Sequence, residues 1–326
     1  MIKYGKTSLY RDVFKKLNAI VINKKIGMLY IILITLAPLV VLLLSPSGYL
    51  IASPGPVFTI KSDYQELDRV NGEYGITTVE YKEASRAKVV IATLKNKKVV
   101  PNSLNFTNKS LDEMDNSKKT AFAVAYSLLQ KKDPGVVLEI VDVQDGSFAH
   151  RNNVSIGDSI VEIDGKQTDS TSLSAIQSNK VLRVKTISTN GMVNELTLPK
   201  KGKIGVILRE KVNGYYPTEG LKTENIGGAS AGLLFTLYVL DLHTKGDLSN
   251  GLRVSGTGSI KLNGDIGEVN GADLKYKAAR KIGYDIFFTS NEEIKGDKVV
   301  HVHNIKDVLT ELCKRGSVPA CTYTAK

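Results

Sequence analysis

An uncharged apolar stretch near the N-terminus constrains the fold of this chain more than any other feature of the sequence. From Ile26 to Leu44 no residue carries a charge, and a helix of about twenty apolar residues spans the hydrocarbon core of a bilayer. We therefore expect a transmembrane helix over residues 26–45. A cleaved signal peptide is the alternative, but the preceding 25 residues are long for one, and Ser45-Pro46-Ser47 is a poor cleavage site.

The charge distribution predicts how that helix is oriented. The net charge of +11 is high enough to suggest nucleic-acid binding, but residues 1–25 contain seven basic residues and one acidic residue, so +6 of the excess lies there. No charged residue follows the apolar stretch until Lys61. This asymmetry places the N-terminus in the cytoplasm and the rest of the chain outside. We expect residues 1–25 to be a basic cytoplasmic segment of a cell-membrane protein, and we expect no nucleic-acid partner.

A glycine-rich turn before an apolar helix contains the first candidate catalytic group. The turn reads Gly227-Gly228-Ala229-Ser230-Ala231-Gly232, and residues 230–244 are apolar on nearly every face, which is typical of a buried helix. The glycines leave the first N–H groups of the helix uncovered, and such groups can stabilise an oxyanion beside a nucleophile. Ser230 is thus a candidate nucleophile, supported by Gly228, Ala229 and Ala231. Taken alone, the turn is more typical of a structural N-cap.

A lysine 45 residues further on is the candidate partner of Ser230. A helix predicted to end near Gly283 has a packing face and a solvent face. The packing face holds Leu274, Lys275, Ala278, Ala279 and Ile282, and the other side holds Lys277, Arg280, Lys281 and Tyr284. Burial disfavours the charged form of an amine, so Lys275 is expected to act as a neutral general base. The alternative is that its ammonium reaches water along its apolar stem.

These segments together resemble the proteolytic domain of the Lon protease family. The resemblance extends over Gly256-Thr257-Gly258-Ser259-Ile260 and over residues 264–271, which read GDIGEVNG. The family uses a Ser-Lys dyad, which implies that Ser230 is the nucleophile and Lys275 the base. Thr257 matches a family threonine close to the lysine, which implies that its hydroxyl orients the amine.

Two positions depart from the family pattern. Ala229 stands where the family usually has proline, and Asn270 stands where it usually has glycine. Both flank the dyad without replacing it. They are also the best support for the alternative that the chain is a membrane-anchored PDZ adaptor with an inactive peptidase-like domain.

Residues 133–200 follow a different pattern, with short strands separated by turns. Strands are predicted over residues 135–141, 159–163, 181–187 and 193–198, with a short helix over 172–177. The segments 135–138, 156–160 and 163–166 resemble a PDZ domain of the bacterial protease type. That resemblance implies peptide capture by strand addition, with Gly135, Val136, Val137 and Leu138 as the peptide-binding residues. The alternative is a small β domain without a ligand.

The complete layout predicts an α+β multidomain chain with one N-terminal transmembrane helix, a PDZ-like β-rich domain and a Lon-type proteolytic α/β domain. We expect a linker and packing region over residues 46–132, the PDZ-like domain over 133–200, the proteolytic domain over 203–311 beginning with a strand at 204–208, and a tail over 312–326. This layout is similar to that of the membrane-anchored, PDZ-containing Lon-like proteases of Gram-positive bacteria. The similarity implies an ATP-independent serine endopeptidase outside the cell, which cleaves secreted peptides or exposed protein segments. It implies no cofactor and no nucleotide, and leaves oligomerisation open.

Three further features predict little chemistry. Gly5-Lys6-Thr7 lacks the upstream glycine of a phosphate-binding loop. His301 and His303 can share one side of a strand, but no further ligand lies at a suitable spacing, so we expect no metal site. Cys313 and Cys321, the two cysteines of the chain, either close a small disulfide loop outside the membrane or remain free thiols.

Overall fold

The computed structural model describes residues 15, 23, 26–28, 30, 32–34, 36–62, 70–102, 108–130, 135–177, 181–199, 204–214, 216–223, 226–244, 248–316 and 318–324. Its first helix, α1, covers Ile26–Leu44, has a mean hydropathy of 2.7 and is nowhere buried. By length and composition α1 can cross a membrane, although a signal sequence near an N-terminus meets the same criteria. This is the apolar helix that the sequence predicts.

The remaining elements alternate between strands and helices. In chain order they are β1 (Pro46–Thr59), β2 (Lys61–Ser62), β3 (Glu73–Ser85), α2 (Arg86–Leu94), β4 (Val99–Pro101), α3 (Asn108–Gln130), β5 (Val136–Val143), α4 (Phe148–Arg151), β6 (Ser159–Ile163), β7 (Lys166–Gln167), α5 (Ser172–Gln177), β8 (Leu182–Ile187), β9 (Val193–Leu198), β10 (Val206–Val212), β11 (Leu221–Lys222), α6 (Gly232–His243), β12 (Arg253–Thr257), β13 (Ser259–Ile260), β14 (Ile266–Gly267), α7 (Ala272–Lys281), β15 (Ile286–Thr289), β16 (Val299–His301), α8 (Ile305–Lys314) and α9 (Val318–Thr324). The mixed α+β content agrees with the predicted fold class.

Two compact units make up the chain, and each contains two segments. The first comprises Met1–Ser53 and Tyr81–Leu104, and the second comprises Pro54–Glu80 and Asn105–Lys326. The units therefore do not follow the expected boundaries, because residues 133–200 and 203–311 lie in the same unit. In the first unit, β1 pairs antiparallel with β4, with Ile51 opposite Val99.

A largely parallel sheet and a buried helix form the centre of the second unit. Within this unit the strand order is β16-β15-β12-β3-β1, and β12 is parallel to both of its neighbours, β3 and β15. The helix α6 packs on α3 and β12, and its residues from Gly232 to Leu242 are all buried. An apolar helix of this kind is stable only in a core, which confirms its predicted burial. The strand β3 is an inner strand of this central sheet, whereas the sequence predicts only a packing region.

The strand β1 replaces the linker and turn that the prolines and glycines predict over residues 45–56. Pro54 and Pro56 do not interrupt it. Residue 55 has to be glycine because β1 and β3 lie close together at this point, and a Cβ there would lie 2.4 Å from Oγ1 of Thr78. That hydroxyl donates a 2.7 Å hydrogen bond to the carbonyl of Pro56. Side-chain and backbone contacts with β3 therefore override the local turn signals.

A second sheet is formed by the short strands after α3. Its order is β10-β5-β6-β8-β9, with β7 paired to β6, and all of these pairs are antiparallel. The strand β10 was expected to open the proteolytic domain, but it pairs with β5 along its length. Leu208 and Val212 of β10 pack against the core of this sheet. The alternating apolar residues of β10 thus stabilise this second sheet.

The C-terminal residues belong to the folded core, contrary to the expected tail over 312–326. Asn304 and Asp307 form a capping box at the start of α8. Cys313 and Cys321 form a disulfide between α8 and α9, with their Cα atoms 5.0 Å apart. Ala320 of α9 is fully buried in the main core.

Candidate active site

Ser230 lies in a short 3₁₀ turn, Ala229–Ala231, directly before α6. Gly228 precedes this turn with a φ of 95°, a conformation that L side chains rarely adopt. Gly232 lets the turn approach β13, because a Cβ at this position would lie 2.9 Å from the backbone nitrogen of Ile260. Ser230 is partly exposed, whereas Ala231 and most of α6 are buried. The turn therefore presents the hydroxyl at the end of a rigidly packed helix.

Lys275 lies in the first turn of α7, on the face that packs into the protein. The helix begins after Gly271, which has a left-handed φ of 74° and passes close to Val79 of β3. The Lys275 side chain is only 6% exposed. Leu274 and Ala278 are buried on the same helix. The periodicity thus predicts correctly that Lys275 is the buried cation of this helix.

Two residues at the end of α7 differ from the periodic pattern. Ile282 is 42% exposed, because the helix already ends at Lys281. Tyr284 is 2% exposed, and its hydroxyl donates a 2.8 Å hydrogen bond to Glu73 of β3. The guanidinium of Arg253 lies 4.8 Å from the centre of the same ring. These contacts with distant residues bury Tyr284, which the helix periodicity alone places on the solvent side.

The side chains of Ser230 and Lys275 are in direct contact. Lys275 Nζ lies 2.6 Å from Ser230 Oγ and 3.1 Å from Thr257 Oγ1. The Thr257 hydroxyl in turn faces the Ser230 carbonyl at 3.3 Å. The structure thus brings together the three side chains that the sequence singled out. A neutral amine in this position can accept the Ser230 proton while one of its N–H groups donates to Thr257.

Burial lowers the pKa of Lys275 from an ordinary value of 10.5 to about 8. The cause is desolvation, which penalises the ammonium form. Both of the hydrogen-bond partners that Nζ has among the described side chains are hydroxyl groups. A hydroxyl stabilises an ammonium less than a carboxylate does, so a substantial fraction of the amine is neutral near neutral pH.

Thr257 is placed by the parallel pairing of β12 with β15, where it lies opposite Thr289. It is 1% exposed. Gly256 beside it is needed for strand spacing, because a Cβ there would lie 2.6 Å from the Phe288 carbonyl. Gly258 N–H donates a 3.0 Å hydrogen bond to the carbonyl of Ser230. The end of β12 therefore holds both the Lys275 amine and the Ala229–Ala231 turn in place.

The helix α3 also contacts the Ala229–Ala231 turn, although no candidate site residue was predicted in α3. The Ser117 hydroxyl donates a 3.2 Å hydrogen bond to the Ala229 carbonyl. Gly228 N–H donates a 2.7 Å hydrogen bond to the Ser110 carbonyl. Ser117 is 4% exposed and lies on the apolar face of α3, one turn from the buried Met114. A serine on the packing face of an amphipathic helix is the signal that sequence analysis could have used.

The expected peptide-binding strand, β5, is paired with β10 along one edge and with β6 over part of the other. Val136 and Val137 pair with β10, and Leu138 pairs with both β10 and β6. Val136 and Leu138 are also buried in the core of the second sheet, at 2% and 0% exposure. Both edges of β5 are thus paired at Leu138, and peptide capture by Gly135, Val136, Val137 and Leu138 stays a prediction.

The histidines noted in the sequence contact one carboxylate. Nε2 of His303 lies 3.0 Å from Glu292, and Nδ1 of His301 lies 3.6 Å from it. His301 Nε2 also contacts the Ile294 carbonyl at 2.9 Å. Within the described ranges, no group of three or more histidine, cysteine or acidic side chains is arranged to hold a metal ion.

Comparison with known proteins adds no assignment. No known protein family matches the chain. No curated protein matches it at a significant level. A function has to be inferred from the residues and their geometry.

Proposed function

We propose that this chain is a membrane-anchored, ATP-independent serine endopeptidase with a Ser-Lys dyad of the Lon type. The observation that carries the proposal is the 2.6 Å separation between the buried Lys275 amine and the Ser230 hydroxyl. Buried lysines without an acidic partner are rare in structural roles, because desolvating an ammonium costs free energy. Beside a partly exposed serine, such a lysine can act as the general base that activates the serine hydroxyl for acyl transfer.

The catalytic cycle follows from the positions of these groups. Neutral Lys275 accepts the proton of Ser230 as Oγ attacks the carbonyl carbon of a peptide bond. The resulting ammonium then donates this proton to the nitrogen of the leaving amine, which breaks the C–N bond. Lys275 next accepts a proton from a water molecule whose oxygen attacks the ester carbon, and it returns this proton to Ser230 Oγ as the Oγ–C bond breaks and the carboxylic acid leaves. Thr257 keeps the amine directed at Oγ during both steps.

The turn around Ser230 supplies the groups that stabilise the oxyanion. The Ala229 carbonyl accepts hydrogen bonds from Ser117 and from the N–H of Gly232. A peptide group is planar, so fixing this carbonyl toward α3 directs the N–H of Ser230 to the opposite side. We assign the oxyanion to the backbone N–H groups of the Ala229–Ala231 turn. Each such donor contributes a factor of roughly 10² to 10³ in rate.

The membrane location is part of the proposal. Seven basic residues before α1 and no charged residue directly after it support a cytoplasmic N-terminus and an extracytoplasmic catalytic unit. The Cys313–Cys321 disulfide supports the same side, because disulfides persist in oxidising compartments. The substrates are then secreted peptides or exposed segments of membrane and extracytoplasmic proteins.

We assign substrate capture to strand β10 of the second sheet, whereas the sequence predicts it at β5. Among the described residues, β10 pairs with β5 and has no strand on its other edge. An edge strand offers unpaired backbone groups to an extended peptide. We propose β10 as the strand to which a substrate segment adds.

Cleavage of an unfolded protein by the full-length chain in detergent tests the proposal. Ser230→Ala and Lys275→Ala are expected to abolish cleavage to the same extent, because each removes one half of the dyad. Lys277→Ala is the matched control, since Lys277 is 64% exposed on the same helix and pairs with Asp273 at 3.6 Å. Equal activity of Ser230→Ala and wild type would refute the proposal.

The adaptor alternative makes a different prediction for the same variants. An inactive peptidase-like domain would cleave nothing in any form, while β10 would still bind peptides. Ala229 and Asn270 favour this alternative because both depart from the family pattern beside the dyad. Absence of cleavage together with retained peptide binding would support it.

A further inference from the structure

The helix α2 carries an apolar stripe that faces away from the protein. Ala87, Val90, Ile91 and Leu94 follow the i, i+3, i+4, i+7 spacing of one helix face. Val90 is 55% exposed, Ile91 is 51% exposed and Leu94 is 78% exposed. The buried residue of the helix, Ala92, lies on the other side. An amphipathic helix normally turns such a stripe inward, so this one requires a partner outside the described residues.

The start of α2 lies where the apolar helix α1 ends. The N–H of Arg86 donates a 3.2 Å hydrogen bond to the carbonyl of Ser45, the residue after α1. The Ser47 hydroxyl donates to the Ala84 carbonyl beside it. At 1.5 Å per residue, the nine residues of α2 extend about 13 Å from this point. All four stripe residues therefore lie within that distance of the place where the chain leaves the span.

The charges around the stripe suit a lipid surface. Residues 86–98 contain five basic residues and no acidic residue, and all five are exposed. They are Arg86, Lys88, Lys95, Lys97 and Lys98. Basic side chains beside an apolar stripe are the usual composition of helices that lie in the membrane interface. Lipid headgroups attract the cations, and the apolar side chains enter the acyl boundary.

We propose that α2 lies in the lipid interface beside α1 and inserts Val90, Ile91 and Leu94 between the lipids. This contact gives the first unit a second attachment to the bilayer next to the span. The inference rests on the proposed membrane location of α1, and it does not depend on the Ser-Lys dyad.

Single-cysteine labelling of the full-length chain in lipid vesicles tests this contact. An environment-sensitive fluorophore is attached at Leu94→Cys, at Thr93→Cys and at Leu36→Cys, without reductant so that the native disulfide stays closed. Thr93 is the matched control, because it is exposed on α2 outside the stripe. Leu36 reports the span itself. One set of vesicles carries nitroxide groups high on the lipid acyl chains to report positions 93 and 94, and a second set carries them at the ends of the acyl chains to report position 36.

The expected result is strong quenching at positions 36 and 94, with at least twofold weaker quenching at position 93. Quenching at 36 but not at 94 would overturn the interface contact and leave the span intact. Loss of quenching at both positions would refute the membrane location and this inference together. A different outcome is a fluorophore at position 94 that is shielded from water but is not quenched by the labelled lipids. If this shielding disappears when each vesicle holds a single chain, a second copy covers the stripe, and the inference is overturned.

Discussion

Acylation of Ser230 is expected to rise about tenfold with each pH unit below pH 8 and to level off above it. The controlling quantity is the neutral fraction of Lys275, whose pKa is lowered by burial from 10.5 to about 8. At pH 7, about 9% of an amine with a pKa of 8 is neutral, against roughly 0.03% of an amine with a pKa of 10.5. Burial therefore raises the amount of competent base roughly 300-fold at that pH.

The assay is the rate at which a fluorescent β-lactone probe acylates the full-length chain between about pH 6 and pH 10. The Lys277→Ala variant is the control and should give the same profile, because its amine lies in solvent. The intrinsic hydrolysis of the probe is subtracted at each pH. A rate that still rises steeply between about pH 9 and pH 10, as for an ordinary lysine with a pKa of 10.5, would show that burial does not activate Lys275. A rate independent of pH over this range would exclude Lys275 as the base.

Three further outcomes follow from the packing around the site. Lys275→Met should raise the unfolding free energy at pH 7 by about 3 kcal/mol, because below pH 8 the folded wild type carries a buried ammonium. The stability difference between Lys275→Met and the wild type should shrink as the pH rises from 8 to 10.5, because in this range only the unfolded wild type still binds the proton at residue 275. Denaturant titrations at pH 8 and at pH 10.5 measure the sign of this change. Ser117→Ala should slow probe acylation roughly fivefold to tenfold with little change in probe affinity, while Thr120→Ala on the same helix, whose hydroxyl bonds its own backbone, should not. Replacing Cys313 and Cys321 by serine should lower the unfolding free energy by about 2 to 3 kcal/mol, and thiol labelling of the native protein should find no free cysteine.

The local features of the dyad could be predicted because each follows from one segment of sequence. The spacing on α7 identifies Lys275 as the cation on the packing face, and the apolar run of α6 predicts its burial. Strand bounds at Ser159–Ile163 and Val193–Leu198 agree with the predicted ones. These results depend on helix and strand periodicity, which are properties of the local chain.

The long-range arrangement could not be predicted in the same way. β1 extends through two prolines because it pairs with β3. The two strands are so close at Gly55 that a larger residue would clash with Thr78. β10 resembles the first strand of a new domain, yet its partner β5 lies about 70 residues earlier. Ser117 acts on Ala229 across more than 100 residues of chain. Such pairings depend on tertiary packing, which outweighs local propensity.

Mass spectrometry of the acyl-enzyme decides whether Ser230 and Lys275 act together as a catalytic dyad. The full-length chain is incubated with a β-lactone probe, digested and analysed for the modified residue, alongside Lys275→Ala. A Ser-Lys dyad requires stoichiometric modification of Ser230 in the wild type and at least a hundredfold less modification in the variant. Modification of another residue, or equal labelling of Ser230 without Lys275, would contradict it.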